Sequence, residues 1–141
     1  MLLENWASNI VVTRGISYEA DLLPGFIAEL EGEREGLLTY NINNNDLEII
    51  TLNSLLEGKG IGTALLEEVE KLAKIQKCKR IWLITTNDNV DALRFYQKRE
   101  YEIASVHRYA IEESRKMKPQ LPFVGKYEIP IRDEIEMEKI L

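Results

Sequence analysis

The chain has 141 residues, 45% of them hydrophobic and 30% charged, which is the size and balance of a single folded domain and excludes a largely disordered chain. Eighteen basic residues against twenty-four acidic ones give a net charge of −6. Phosphate neutralisation needs clustered Lys and Arg, so nucleic acid is not an expected partner and a cationic one suits better.

With one cysteine and one histidine, an internal disulfide is excluded and a metal site is not expected. No apolar run approaches the roughly 20 residues that span a bilayer. Residues 1–9 carry no basic cluster ahead of an apolar stretch. Neither a membrane partner nor a secretory leader is expected, and the expected address is the cytoplasm.

In chain order, residues 10–13 are β-branched and read as a strand ending at Gly15. Residues 17–24 read as a loop, 25–30 as a strand opened by Gly25, and 31–36 as a polar turn. Residues 37–42 and 47–52 read as strands joined by an Asn-rich turn at 43–46. Short turns between successive strands imply an antiparallel meander. Over residues 60–77 the period changes: Ile61, Leu65, Val69, Leu72 and Ile75 or Gln76, widened by Leu66 and Ala73, recur at helical spacing opposite Glu67, Glu70, Lys71 and Lys74. Residues 81–86 are a continuous apolar run, the pattern of a strand buried on both faces.

Asn87, Asp88 and Asn89 offer N-caps for a helix running to about Arg99. Residues 101–110 read as a strand, 111–118 as a short helix stopped by Pro119, and 120–130 as a Pro/Gly loop. Alternation over 134–141 reads as a last strand with two unlike faces. A helix between two strands implies a parallel crossover. The expected fold is therefore α/β, one domain over residues 1–141, with a mixed sheet flanked by helices.

Residues 57–63 (EGKGIGT) stand between a strand and the long helix. Alternating glycines let the backbone approach a ligand closely. The helix N-terminus behind them offers N–H groups and a partial positive charge, so the loop suits a phosphate or pyrophosphate, with Lys59 adding a point charge. The P-loop pattern fails because Gly60, not Ser or Thr, follows Lys59; the dinucleotide fingerprint fails because the spacing is Gly-x-Gly-x-Gly. The competing reading is a glycine-rich turn without a ligand.

At these residues the chain resembles the GNAT superfamily of acetyl-CoA-dependent N-acetyltransferases. Its Gln/Arg-x-x-Gly-x-Gly/Ala signature is matched by Gly60 and Gly62, with Glu57 where Gln or Arg is usual. Its Asn-x-x-Ala-x-x-x-Tyr feature is matched by Asn89, Ala92 and Tyr96, and Glu100-Tyr101 stands where the family has Gly-Phe. The resemblance covers residues 26–110. It implies a mostly antiparallel sheet with a central, splayed parallel pair that holds acetyl-CoA as cosubstrate. It also implies that the pantetheine arm pairs with Leu52, Asn53, Ser54 and Leu55, and that the pyrophosphate sits on Gly58, Lys59, Gly60, Ile61, Gly62 and Thr63. Asn89, Ala92 and Tyr96 complete the implied cofactor-binding set, with Tyr96 protonating the departing thiolate. Glu57 brings a carboxylate near the anion site, and Glu100 implies a turn of different backbone shape or a longer helix.

A thiol of pKa about 8.5 and a phenol of about 10 make that proton transfer uphill by only a unit or two. Glu48 is the candidate base; it needs burial or a relaying water to take a proton from an ammonium, and its competing reading is a solvated strand residue. Asp46 is a weaker option that reads better as a turn residue. Asn53 and Ser54 are candidates to orient the thioester or acceptor. His107 is of the residue type that suits a base near neutrality, and Cys78, between two lysines, has a nucleophile's setting, yet both also read as structural. Residues 115–118 read as a solvated helix face. One histidine and no Gly-x-Ser-x-Gly disfavour a Ser-His-Asp hydrolase. The expected function is acetyl transfer to a primary amine on a small molecule or peptide; the rival is a CoA-binding regulatory or assembly module without turnover. The short stretch ahead of residue 26 leaves the acceptor side open, or completed by residues 111–130 or by a second copy in a homodimer.

Overall fold

The computed structural model describes residues 10–13, 16–19, 23–30, 32–54 and 60–141, with backbone alone at 10–13, 16–19, 30 and 54. Strands β1 (Ile10–Thr13) and β2 (Ile16–Glu19) form a two-stranded sheet. β2 takes the start of the expected loop over 17–24, because Ile16-Ser17-Tyr18-Glu19 alternates apolar and polar. The main sheet contains β3 (Gly25–Leu30), β4 (Glu33–Asn43), β5 (Asp46–Ser54), β6 (Arg80–Thr86), β7 (Glu102–His107) and β8 (Glu134–Ile140), in the order β3-β4-β5-β6-β8-β7. Helices α1 (Ile61–Ile75), α2 (Val90–Gln97) and α3 (Ala110–Met117) follow β5, β6 and β7. The fold is mixed α/β, as expected. Among the described residues no helix is long and apolar enough to cross a membrane.

The chain divides into two compact units. The first comprises residues 19–81 with 1–11 and 140–141. β3, β4 and β5 form the antiparallel meander. The expected polar turn over 31–36 is shorter: Gly32 turns at φ +83°, and β4 already begins at Glu33. Asn44 and Asn45 take φ +52° and +67° between β4 and β5, the left-handed pair that a two-residue hairpin turn requires and that asparagine tolerates. Thr39 faces Thr51 and Tyr40 faces Ile49, so Ile50 is the extra residue of a β-bulge. The Lys79 N–H donates to the Asn45 carbonyl (2.7 Å). β5 and β6 thus start side by side and run the same way, the parallel pair expected from a helical crossover. Most of the helix stripe is buried as its spacing predicts: Ile61, Leu65, Leu66, Val69 and Ala73 belong to a core that includes Leu38, Leu47, Ile49 and Ile81, whereas Leu72 is half-buried and Ile75 and Gln76, at the end of the helix, are exposed.

The second unit comprises residues 82–139 with 12–18. β7 pairs antiparallel with β8, His107 opposite Glu134 and Glu102 opposite Glu138. The strand expected over 101–110 is shorter, because Tyr109 turns at φ +61° and α3 starts at Ala110. The expected unlike faces of the last strand are both covered at its start: Glu134 is as deeply buried as Ile135 and Met137. Residues 123–131 form a small hairpin, with the Ile131 N–H on the Phe123 carbonyl (2.9 Å) and the Gly125 N–H on the Ile129 carbonyl (2.9 Å). Tyr127 and Glu128, at φ +56° and +60°, make its tip.

Candidate active site

The site residues expected from the sequence fall in both units. In the first, α1 starts at Gly60, whose φ is +73°. A Cβ there would meet nothing within 4 Å among the described residues, and the positive φ is what glycine serves. Gly60 has no side chain to cap the helix, and no acidic residue stands in the first turn. A helix N-terminus of this kind carries a partial positive charge that suits an anion. Ile61 is buried, and Gly62 and Thr63 are half-buried. Leu55, Glu57, Gly58 and Lys59 lie outside the described residues.

A Cβ on Gly36 would lie 2.6 Å from Ile61 Cγ2 and 3.2 Å from the Asn53 carbonyl oxygen. A bare backbone at Gly36 therefore brings the start of α1 against the end of β5. Leu52, Asn53 and Ser54 pair on one edge with Leu38, Leu37 and Gly36, and Leu52 and Asn53 are half-buried. Glu48 is 5% exposed, sits opposite Asn41 and is engaged by a partner; it is not a solvated strand residue. Asp46 accepts a hydrogen bond from Arg80 Nε (3.2 Å) and so closes the corner where β5 and β6 begin. Cys78 is buried nearby; burial first, and the Asp46 carboxylate second, push its thiol up. It is a packing residue, not a reactive thiolate.

In the second unit, Asn89, Ala92 and Tyr96 lie together on α2. Asn89 is its N-cap: Oδ1 accepts from the Ala92 N–H (3.2 Å) and also from Lys126 Nζ (3.3 Å). Ala92 is half-buried and Tyr96 is 6% exposed. The Tyr96 ring makes edge contacts with Phe95 (centroids 5.1 Å apart) and Tyr101 (5.4 Å). Burial raises its phenol well above the ordinary value, which favours the neutral hydroxyl.

The end of α2 explains that burial. The Tyr101 N–H reaches back to the Tyr96 carbonyl (3.0 Å) and the Glu100 N–H to the Gln97 carbonyl (3.2 Å), with Glu100 at φ +72°. This is a Schellman closure, with the accompanying side-chain contact made by Tyr101 and Tyr96. The glutamate takes a left-handed angle, the one that glycine most often supplies at a helix end of this kind.

His107 Nε2 lies 3.2 Å from Glu136 Oε1 on the neighbouring strand, a cross-strand pair. Arg115 is not part of a solvated face. Its guanidinium donates to the carbonyls of Pro122 (2.8 Å) and Ile131 (3.1 Å) and covers the Phe123 ring at 4.2 Å. Asp88 and Asp133 are buried carboxylates; Asp88 was expected only as an N-cap candidate, a place that Asn89 takes, and Asp133 was not singled out. Asp133 accepts from the Tyr109 N–H (2.9 Å) and Arg132 Nε (2.8 Å), and Arg132 foremost holds its carboxyl below the usual range. Their only signal in the sequence is Asp beside Asn or Arg at an element boundary.

Residues 6–101 match the acetyltransferase (GNAT) family. The Bacillus subtilis protein YdhI, itself uncharacterized, is 49% identical over 140 residues, covering 98% of this chain and 87% of that protein. The fold is similar to that of an IAA acetyltransferase from Bacillus cereus, with TM-score 0.73 and 24% identity over 83% of this chain and 77% of that one. It is similar also to a GNAT family acetyltransferase from Elizabethkingia anophelis with acetyl-CoA bound, with TM-score 0.71 and 23% identity over 82% and 74% of the two chains.

Proposed function

Because the chain belongs to the acetyltransferase (GNAT) family, whose reaction is acetyl-CoA-dependent acyl transfer, we propose that it acetylates a primary amine by direct attack, with Tyr96 protonating the departing thiolate. The acceptor is an amine-bearing small molecule or peptide, and residues 1–141 act as one domain in the cytoplasm. The observation that carries the reading is Tyr96, buried and kept protonated on the same helix as Asn89 and Ala92.

The residues fit the cosubstrate. Gly60 opens α1 with no side chain and no carboxylate in the first turn, which suits a diphosphate. Lys59 and Gly58 precede it, and Ile61, Gly62 and Thr63 add backbone N–H groups. Leu52 to Ser54, with Leu55, offer strand backbone to an amide-bearing arm. Bound acetyl-CoA supplies the thioester that the amine attacks. Tyr96 gives its hydroxyl proton to the sulfur as the C–S bond breaks and is reprotonated from solvent. Ordinary values put this step uphill by about 1.5 units, or about 2 kcal/mol; the burial that raises the Tyr96 phenol adds to that cost except where the sulfur is buried with it. Glu48 takes the surplus amine proton, directly or through water.

Free-thiol release from acetyl-CoA with an amine panel tests the proposal. Tyr96→Phe lowers kcat by about 10²-fold, within the usual range for a general acid, and leaves KM for acetyl-CoA within about twofold. Unchanged kcat removes Tyr96 from the chemistry. A melting temperature raised by acetyl-CoA with no thiol release for any amine favours the CoA-binding module.

A further inference from the structure

We propose that the hairpin over residues 123–131 is a strap that positions α2, with Asp88 as its anchor, so that Asp88 and Gly125 act through α2 on Tyr96. The proposal rests on the acetyltransferase reading for what Tyr96 does, but not for the strap itself. Asp88 is 6% exposed and lies one residue before the N-cap Asn89. Its Oδ1 accepts from the Thr86 hydroxyl at the end of β6, and its Oδ2 accepts from the Lys126 N–H (3.0 Å) of the hairpin. The Val90 N–H donates to the Asp88 carbonyl (2.9 Å). The Asp88 carboxylate therefore ties the strand end to the hairpin, and its backbone carbonyl holds the first N–H of α2.

The neighbouring side chains repeat the pattern. Asn87 Nδ2 donates to the Pro130 carbonyl (2.9 Å), and Asn87 Oδ1 accepts from the Arg132 and Asp133 N–H groups (2.9 Å each). The Tyr127 hydroxyl donates to Asp91 (2.8 Å) in the first turn of α2. Gly125 is pressed against the anchor: a Cβ there would lie 2.1 Å from Asp88 Oδ2 and 2.8 Å from Ile131 Cγ1. Its φ of −114° lies outside the left-handed region, so what sets this glycine apart is the crowding that a Cβ would meet. Adding one carbon at position 125 must displace Asp88, and Asp88 leads directly into the helix that carries Tyr96. Displacements of about 1 Å at a reacting group cost up to about 10²-fold in rate.

The test compares the full chain with Asp88→Ala, Asp88→Asn, Gly125→Ala and the Asp88→Ala/Gly125→Ala double variant, by thiol-release kinetics and by amide hydrogen exchange. Asp88→Ala and Gly125→Ala each lower kcat about tenfold with KM for acetyl-CoA within about twofold, and speed exchange over residues 90–101 but not in α1. Asp88→Asn recovers most of the rate, since a hydroxyl can accept from Nδ2 while Oδ1 keeps the Lys126 N–H. Once Asp88 is Ala, Gly125→Ala adds less than half of its effect in the parent chain, the remainder being Ile131. An equal Gly125→Ala loss with and without the Asp88 carboxylate overturns the proposal, as does unaltered exchange over 90–101. If Asp88→Ala does not fold, Gly125→Ala alone decides by the same exchange pattern. Full activity in Tyr96→Phe would overturn the acetyltransferase role of Tyr96 and leave the exchange result standing.

Discussion

A phenol enclosed by other aromatic rings ionises only by leaving an anion without water, and Tyr96 stands between Phe95 and Tyr101. Folding therefore favours its neutral form, and its pKa lies above the ordinary value of about 10. The stability this contributes is fully present below pH about 10 and is lost as pH rises from there toward the folded-state value. Melting temperature should fall with a steeper slope above pH about 10 in the parent chain than in Tyr96→Phe; equal slopes would remove the argument. The same burial predicts that kcat shows no descending limb from Tyr96 below pH about 10. Asp133 has the opposite sign. Held below the usual carboxylate range by Arg132 first, it contributes stability above its ordinary value of about 4, lost as pH falls through the depressed one. Asp133→Asn should flatten the acid limb of a urea-midpoint profile, and an unaltered limb would count against the Arg132 contact.

Both long-range helix ends use the same closure with the wrong residue for it. At the end of α1, Lys77 takes φ +58°, the Cys78 N–H reaches the Ala73 carbonyl (2.8 Å) and the Lys77 N–H the Lys74 carbonyl (3.1 Å). Glu100 does the same after α2. A non-glycine residue in the left-handed region costs about 1–2 kcal/mol, offset in part by the entropy glycine would lose on folding. Glu100→Gly and Lys77→Gly should each stabilise the chain by about 1 kcal/mol in urea unfolding; a loss of stability would show that the side chains contribute more than the backbone strain. Elements with strong periods were legible before any coordinates: the α1 stripe from Ile61 to Ala73, the strand over 81–86 and the Asn44-Asn45 turn. Glu33, Arg34 and Glu35 hid the start of β4 because an exposed strand end can be polar throughout. The Asn89, Ala92 and Tyr96 set was legible as a helix face, whereas the contact of Gly125 with Asp88 was not, since it joins residues 37 apart in sequence with no periodic signal between them.

At the scale of the molecule, the position of β8 between β6 and β7 was equally invisible to local pattern, because strand order depends on pairing between distant segments. Net charge, in contrast, is a property that the sequence states outright, and −6 acts over distances longer than any contact. The Debye length is about 30 Å at 0.01 M salt and about 10 Å at 0.1 M. At low salt the whole negative field attracts an amine acceptor in proportion to that acceptor's positive charge, and at high salt it reaches little beyond the surface. If the acceptor enters across this field, kcat/KM for a polyamine should fall more steeply with ionic strength, from about 0.02 to 0.3 M, than kcat/KM for a monoamine of similar size. Acetyl-CoA is itself an anion, so assays must saturate it at each salt concentration to isolate the acceptor's response. Parallel slopes for the two amines would mean that the acceptor meets a locally neutral approach, and that the acidic excess serves solubility and not capture.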